Sequence, residues 1–562
     1  MIEIVHRSVP RVRFICAIAS VVLTACGLAS CVYSENPDAE VSPTEVSFLV
    51  SFPESVRAAP VDGRVILLLS TTPEFDYEGV ADGSPAFGVD VDQLQPNQVV
   101  QIDGSTRGDL IPSTNNIPPG EYFVIAYLDV YSTFHRSDGH VIKMPMDNGE
   151  GQQWHLSPGN LRSEPEKIEI VANITQHFEI DLTSAIPELE PPNDTEWVKY
   201  ITIKSDLVSE FWGTPMHISA RILLPKGYED NPDLRYPLII EHDHFSTENP
   251  GEFVAPGNNE AGNEFYDVWT SDDYPRFLLA TMQHPTPYFD DSYAVNSDNM
   301  GPYGDALNFE LLPAIESQFR AIGTPNSRAV TGCSTGGWIS LATQVWYPEL
   351  YNGAWVFAPD QVDFHYYELV NLYEPEKNAY YREYQWSRLP LPANRDVDGR
   401  PAFTNEQENL KEEVAGSRYR SGGQWAAWNA LFGPVAADGY PQPLWNPLTG
   451  EIDPEVAQWM IERYDITYYL RQNWATVGPK LQGKLHFFTG RMDNWYIEQA
   501  IYRLESFFQE TESPAYLPEF QYGTRAEHCW SPWEDSNDVG GLYKEIYRSL
   551  VDSLNDRKKL EN

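Results

Sequence analysis

Basic residues are scarce: 38 Lys and Arg stand against 82 Asp and Glu, a formal net charge of −44 at neutral pH. The excess is spread along the chain, so it repels a phosphate backbone and excludes nucleic-acid binding. Long apolar runs are scarce too. The run Phe14 to Leu23 is too short to span a bilayer, and no other stretch reads as a span. Cysteine is rarer still, with five in 562 residues and only Cys333 and Cys529 beyond position 31. Apolar residues (42%) and an excess of aromatic rings (13%) exclude a disordered or collagen-like chain and leave a globular one of at least two domains.

Residues 1–31 read as an export signal, with Arg7, Arg11 and Arg13 ahead of the short apolar run. Leu23-Thr24-Ala25-Cys26 and Leu28-Ala29-Ser30-Cys31 each resemble the lipobox at which bacterial lipoproteins are cleaved and lipidated. Cys26 follows the more typical short apolar region, whereas Cys31 would leave the mature chain with an even thiol count. Either implies a periplasmic or cell-surface protein held on a membrane by a lipid anchor, in a compartment that permits disulfides. An ordinary secretory signal is the alternative.

Residues 45–184 hold short alternating or β-branched segments: Val46 to Phe52, Arg64 to Leu69, Tyr122 to Val130 and Lys167 to Leu182. They predict an all-β sandwich, and Ile117-Pro118-Pro119-Gly120 before a strand resembles a turn of immunoglobulin-like accessory domains. A Pro-rich acidic linker, residues 185–196, follows. Residues 197–562 alternate strands and helices. Strand candidates are His217 to Leu224, Tyr236 to His242, Phe277 to Met282, Ala329 to Gly332, Ala354 to Ala358, Lys484 to Thr489 and Phe520 to Tyr522. This order predicts a mostly parallel sheet with helices on both faces. The interruption from about Asp360 to Lys480 carries Trp386, Trp425, Trp428, Trp445, Trp459 and Trp474, and reads as a lid insertion in which at least one ring shapes a pocket; the alternative is that the rings are the insertion's own core.

Gly332-Cys333-Ser334-Thr335-Gly336 places a serine in G-x-S-x-G between a predicted strand and a predicted helix, the turn that lifts a nucleophilic hydroxyl above a sheet edge. A serine hydroxyl needs a His base held by a carboxylate, in the chain order Ser, acid, His. Asp493, in a turn just past a strand, and His528, the only His after His486, satisfy that order. Cys333 and Cys529 adjoin the proposed nucleophile and base. If catalysis brings Ser334 and His528 together, a disulfide between their neighbours follows; two buried free thiols are the alternative.

Gly332-Cys333-Ser334 with Asp493 and His528-Cys529 resembles the tannase and feruloyl esterase family, in which paired cysteines flank the catalytic Ser and His. Over most of the remainder, Leu223-Leu224-Pro225-Lys226-Gly227-Tyr228 and the strand after Tyr236-Pro237 resemble the esterases related to esterase D. The resemblance implies an α/β-hydrolase. Those esterases usually have His-Gly after this strand, and here His242 is followed by Asp243. The oxyanion hole is expected from the backbone N–H of Thr335 and of His244 or Phe245. His242-Asp243-His244 also has the spacing of a metal pair on a strand, but no third ligand follows, and Asp396-Val397-Asp398-Gly399 is too short for a calcium loop. No metal or cofactor is expected. The expected reaction is hydrolysis of small-molecule or polymer-borne carboxylic esters, phenolic or carbohydrate esters among them, through an acyl-enzyme. A serine peptidase or acyltransferase uses the same constellation, and an inactive surface binding protein is the alternative of another class.

Overall fold

Alternation of apolar and polar residues builds the N-terminal region of the computed structural model, which describes residues 45–561 apart from 246–247 and 258–261. The export-signal reading, with Cys26 and Cys31, lies outside the described residues. The strands Val46–Ser51, Val100–Ile102 and Gln176–Asp181 form one sheet; seven others, centred on Gly120–His135 and Val61–Ser70, form a second. The two share one core that includes Phe48, Val65, Leu67, Val124 and Ile180, so the region is a two-sheet sandwich. Val61–Ser70 is buried nearly end to end because a smaller cluster, with Ile66, Leu68 and Tyr127, covers its other face. The segment expected as one strand from Lys167 to Leu182 is two, Glu166–Ile170 and Gln176–Asp181, in different sheets. Asn173, in the left-handed region at φ 60°, turns the chain between them.

The second region is built on an eight-stranded sheet: β1 (Val198–Ser205), β2 (Met216–Leu223), β3 (Leu238–His242), β4 (Leu278–Gln283), β5 (Arg328–Cys333), β6 (Ala354–Phe357), β7 (Leu485–Gly490) and β8 (Glu519–Gly523). Their order is β1-β2-β4-β3-β5-β6-β7-β8. The first two junctions are antiparallel and the other five parallel. This is an α/β-hydrolase sheet. All seven strand candidates are present within a residue or two. The strand missed is β1, which leads into the helix Asp206–Trp212 through a Ser205 cap whose Oγ accepts from the Val208 N–H at 3.1 Å.

The Pro-rich linker does not separate two bodies: residues 43–562 form one compact unit. Phe134, Ile142 and Met144, at the far end of the sandwich, enter the core of the second region beside Trp212. Arg64 donates to the Val414 and Glu413 carbonyls at 2.8 and 3.1 Å, satisfying the open C-terminal end of the helix Asn405–Ala415. The insertion holds this helix, two small hairpins and the helices Gln424–Phe432, Pro454–Tyr464 and Ile466–Leu481. Its rings divide between the two readings of the insertion. Trp425, Trp428, Trp445 and Trp474 belong to the main core, with Trp425 4.9 Å from Trp428 and 5.2 Å from Trp445, while Trp386 is 92% exposed. Trp459 lies under the Arg463 guanidinium. Only Trp428 of the six lines the large cavity described next.

Candidate active site

The turn after β5 is crowded by backbone. Hypothetical Cβ atoms at Gly332 and Gly336 would lie 2.3 and 1.9 Å from the His242 carbonyl oxygen at the end of β3, and one at Gly337 would lie 2.4 Å from that of Phe357 on β6. Only glycine lets the β5 strand and its helix, Thr335–Trp346, approach this closely. Between them Ser334 adopts φ 56°, ψ −123°, a strained conformation for a residue with a side chain, fixed by its N–H donating to the Phe357 carbonyl at 3.0 Å. Thr335 opens the helix, so its N–H has no intrahelical carbonyl to meet.

Asp493 is fully buried in the turn after β7. Its Oδ1 accepts from the Trp495 N–H at 2.9 Å and its Oδ2 pairs with His528 Nδ1 at 2.7 Å. His528 is held further by its own N–H on Asn494 Oδ1 at 2.9 Å, leaving Nε2 for the cavity that it lines with Ser334. Burial works against the charged imidazole, but Asp493 and then Asp360 outweigh it, so the His528 pKa stands above 6.5. Cys333 and Cys529 are joined as a disulfide, with Cα atoms 5.6 Å apart. The link fastens the strand bearing Ser334 to the loop bearing His528. No hydrogen bond joins Ser334 to His528 among the described residues; the Ser334 hydroxyl donates instead to Asp360 Oδ1 at 3.3 Å.

Asp360 was not expected from the sequence. It is 3% exposed, three residues past Phe357 at the end of β6, and its Oδ2 accepts from Tyr293 at 2.6 Å and Thr335 Oγ1 at 3.2 Å. Burial raises its pKa, against the pull of Tyr293 and His244. The rule that singled out Asp493, an acid just past a parallel strand's C-terminal end, fits Asp360 equally well.

The oxyanion loop differs from expectation. The His244 N–H donates to Asp243 Oδ1 at 2.8 Å: where the related esterases have glycine this chain has a carboxylate, and it captures the adjacent donor. Phe245 lies against Gly151 of the sandwich and does not line the cavity. His242 and His244 part company because β3 ends at His242. The first faces His284, ring centroids 6.4 Å apart, and the second pairs with Asp290 at 3.1 Å and Asp291 at 3.5 Å. Those are ion-pair distances, at which a proton joins imidazole and carboxylate.

The cavity above the sheet has a volume of about 700 Å³. Trp428, Trp495, Phe357 and Tyr543 give it aromatic surface, and Glu368, Glu408 and Gln424 polar surface. Glu368 is buried, at φ 49°, and its Oε2 has no hydrogen-bond partner among the described residues. Residues 213–398 match the family described as "Putative esterase". No curated protein matches the chain. Among solved structures it is similar to a ferulic acid esterase (13% identity, covering 63% of this chain and 98% of the other, TM-score 0.34). It is also similar to an S-formylglutathione hydrolase from Agrobacterium tumefaciens (12%, 64% and 98%, 0.33) and a ferulic acid esterase from Anaeromyces mucronatus (13%, 64% and 93%, 0.29). The matched segment runs through Ser334 and the strands around it, and the chain is a carboxylic ester hydrolase.

Proposed function

We propose that this esterase works through an acyl-enzyme, with Ser334 as nucleophile, His528 as general base and acid, and Asp493 as the carboxylate that orients and stabilises the imidazole. The observation that carries the reading is the 2.7 Å Asp493–His528 pair, tied by the Cys333–Cys529 disulfide to the strained turn that presents Ser334. Productive binding requires the Ser334 hydroxyl to exchange its Asp360 partner for His528 Nε2, and catalytic hydrogen bonds commonly tighten only when substrate is bound. Collapse of the tetrahedral intermediate expels the alcohol, which takes its proton from His528, and water then attacks the acyl-enzyme by the reverse path. The experiment is labelling with a fluorophosphonate and turnover of simple esters: Ser334→Ala should lose both while keeping its melting temperature. Wild-type turnover in that variant would end the assignment.

The cavity supports an uncharged substrate. Among the described residues its wall carries many carboxyl groups and no Lys or Arg, so an anionic acyl or alcohol part is disfavoured, whereas rings and hydroxyl groups find Trp428, Trp495 and Glu368. Esters of phenolic acids or of sugars fit that description, and a panel of neutral and anionic esters of equal size tests it. The export, lipid anchor on Cys26 or Cys31, and immunoglobulin-like character of the sandwich complete the reading as an envelope enzyme. Metabolic labelling with a fatty acid in cells, lost on replacing the modified cysteine, tests the anchor.

A further inference from the structure

An acyl-transfer transition state gathers negative charge on the carbonyl oxygen. Here that charge would form in an acidic enclosure: Glu241, Asp243, Glu252, Asp360, Glu368 and Glu408 all line the cavity, and among the described residues the basic ones that line it are His242, His244 and His528. Burial, with His284 nearby, drops the His242 pKa to about 3, so that imidazole is neutral. His528 is engaged in proton transfer. The remaining candidate is His244, whose backbone N–H is already taken by Asp243.

The His244 side chain is differently placed. Nδ1 pairs with both oxygens of Asp290, at 3.2 and 3.1 Å, and with Asp291 at 3.5 Å, while the Phe289 ring packs edge-on at 5.5 Å between centroids. The side chain is 39% exposed, and it lines the same cavity as Ser334 and His528. With Nδ1 held, Nε2 is the nitrogen left for the cavity. Resting on the Ser334 reading, we propose that the imidazolium of His244 is a catalytic residue, clamped by Asp290 and donating from Nε2 to the developing oxyanion in place of a second backbone N–H.

A carboxylate-held imidazole thus stands on each side of the reaction: Asp493–His528 to move the proton, Asp290–His244 to hold the charge. Burial opposes a charged His244, but Asp290 first, then Asp291 and Asp360, outweigh it and carry its pKa up to about 10. Asp243 lies beside it as a further acid, and His528 faces it as a like charge when protonated. The imidazolium is therefore present throughout the neutral range, and a charged donor in a site of low dielectric is stronger than a neutral amide.

The test uses the full chain with p-nitrophenyl acetate as substrate and phenylboronic acid as an analogue whose serine adduct is a tetrahedral anion. In His244→Gln, kcat should fall about 100-fold with KM nearly unchanged, and boronic-acid affinity should fall by a similar factor. Asp290→Asn keeps the imidazole but removes the main group that raises its pKa, so the alkaline loss of kcat should move to lower pH. Unchanged kcat and boronate affinity in His244→Gln, with Ser334 still labelled by fluorophosphonate, would overturn the proposal and leave the Ser334 reading intact. If His244→Gln does not fold, an unshifted alkaline limb in Asp290→Asn overturns it. Activity lost to a chelator and restored by a divalent cation also overturns it, because His244 would then be holding a metal.

Discussion

The Ser334 hydroxyl donates to Asp360, 3.3 Å away, and Asp360 in turn is held by Tyr293 at 2.6 Å. Two carboxyl groups therefore serve the site from neighbouring strands, Asp493 after β7 on the His528 side and Asp360 after β6 on the serine side. The negative charge of Asp360 is one of the influences that raise the His528 pKa. Asp360→Asn removes that charge at nearly constant shape. A general base must be neutral to accept the serine proton, so lowering its pKa brings activity in at lower pH. The acid limb of kcat/KM should shift down in Asp360→Asn, and an unmoved limb would show that Asp360 does not sense His528.

Reduction of Cys333–Cys529 should separate activity from folding. The link closes a loop with a sequence separation of 196, for which chain-entropy reasoning gives about 5 kcal/mol of stabilisation. Its ends are the neighbours of Ser334 and His528, so breaking it loosens the site first. Mild reductant should lower turnover at concentrations that leave the far-ultraviolet circular dichroism unchanged, and Cys333→Ser with Cys529→Ser should reproduce the loss. If activity and secondary structure disappear together, the link serves the fold alone. Peptide mapping without reduction is expected to recover the linked pair.

Stability should fall as pH rises from about 4 to 8. Burial carries Glu408 to about 8 and Glu412, Asp129 and Asp465 to about 7, each a carboxyl with an ordinary value near 4. Between the ordinary and the raised values the folded chain holds protons that the unfolded chain has released, so unfolding is favoured with rising pH. The stabilisation is complete below about pH 4 and gone above about pH 8 for these four groups. Mutual repulsion in a chain of net charge −44 acts in the same direction. Thermal melts across this range check it, and a melting temperature that climbs steadily to pH 8 would contradict it.

The strands were legible because a parallel sheet buried on both faces writes itself as apolar runs, as in Leu238-Ile239-Ile240 and Ala354-Trp355-Val356-Phe357. Ser334, Asp493 and His528, the triad proposed above, could be nominated because chain order and turn position constrain such residues. The insertion was read less well. Tryptophan enrichment looks the same whether rings face a substrate or one another, and only packing tells that Trp425 and Trp445 face inward. The oxyanion loop failed for a local reason. Replacing a glycine with Asp243 redirects one N–H, and the sequence shows the substitution without showing which donor the carboxylate takes.

That leaves Trp428 as the tryptophan through which the insertion should act on substrate. It lines the cavity, and its Nε1–H donates to Tyr293 Oη at 2.6 Å, one bond away from the Asp360 that holds Ser334. Trp428→Phe keeps a ring against the core and loses the donor and part of the face, so it should raise KM or change acyl preference with a small change in melting temperature. Trp425→Ala, which empties a buried position packed edge-on against Trp428 and Trp445, should cost about 3 to 5 kcal/mol and act through stability. Trp386→Ala, at 92% exposure, should change neither. Steady-state kinetics on esters of increasing acyl size, paired with thermal melts of the three variants, distinguish these outcomes. Should Trp428→Phe match the wild type on every ester, specificity lies with Trp495 and Phe357, and the insertion contributes to the cavity through its polar residues Asp360, Gln361, Glu368, Glu408 and Gln424.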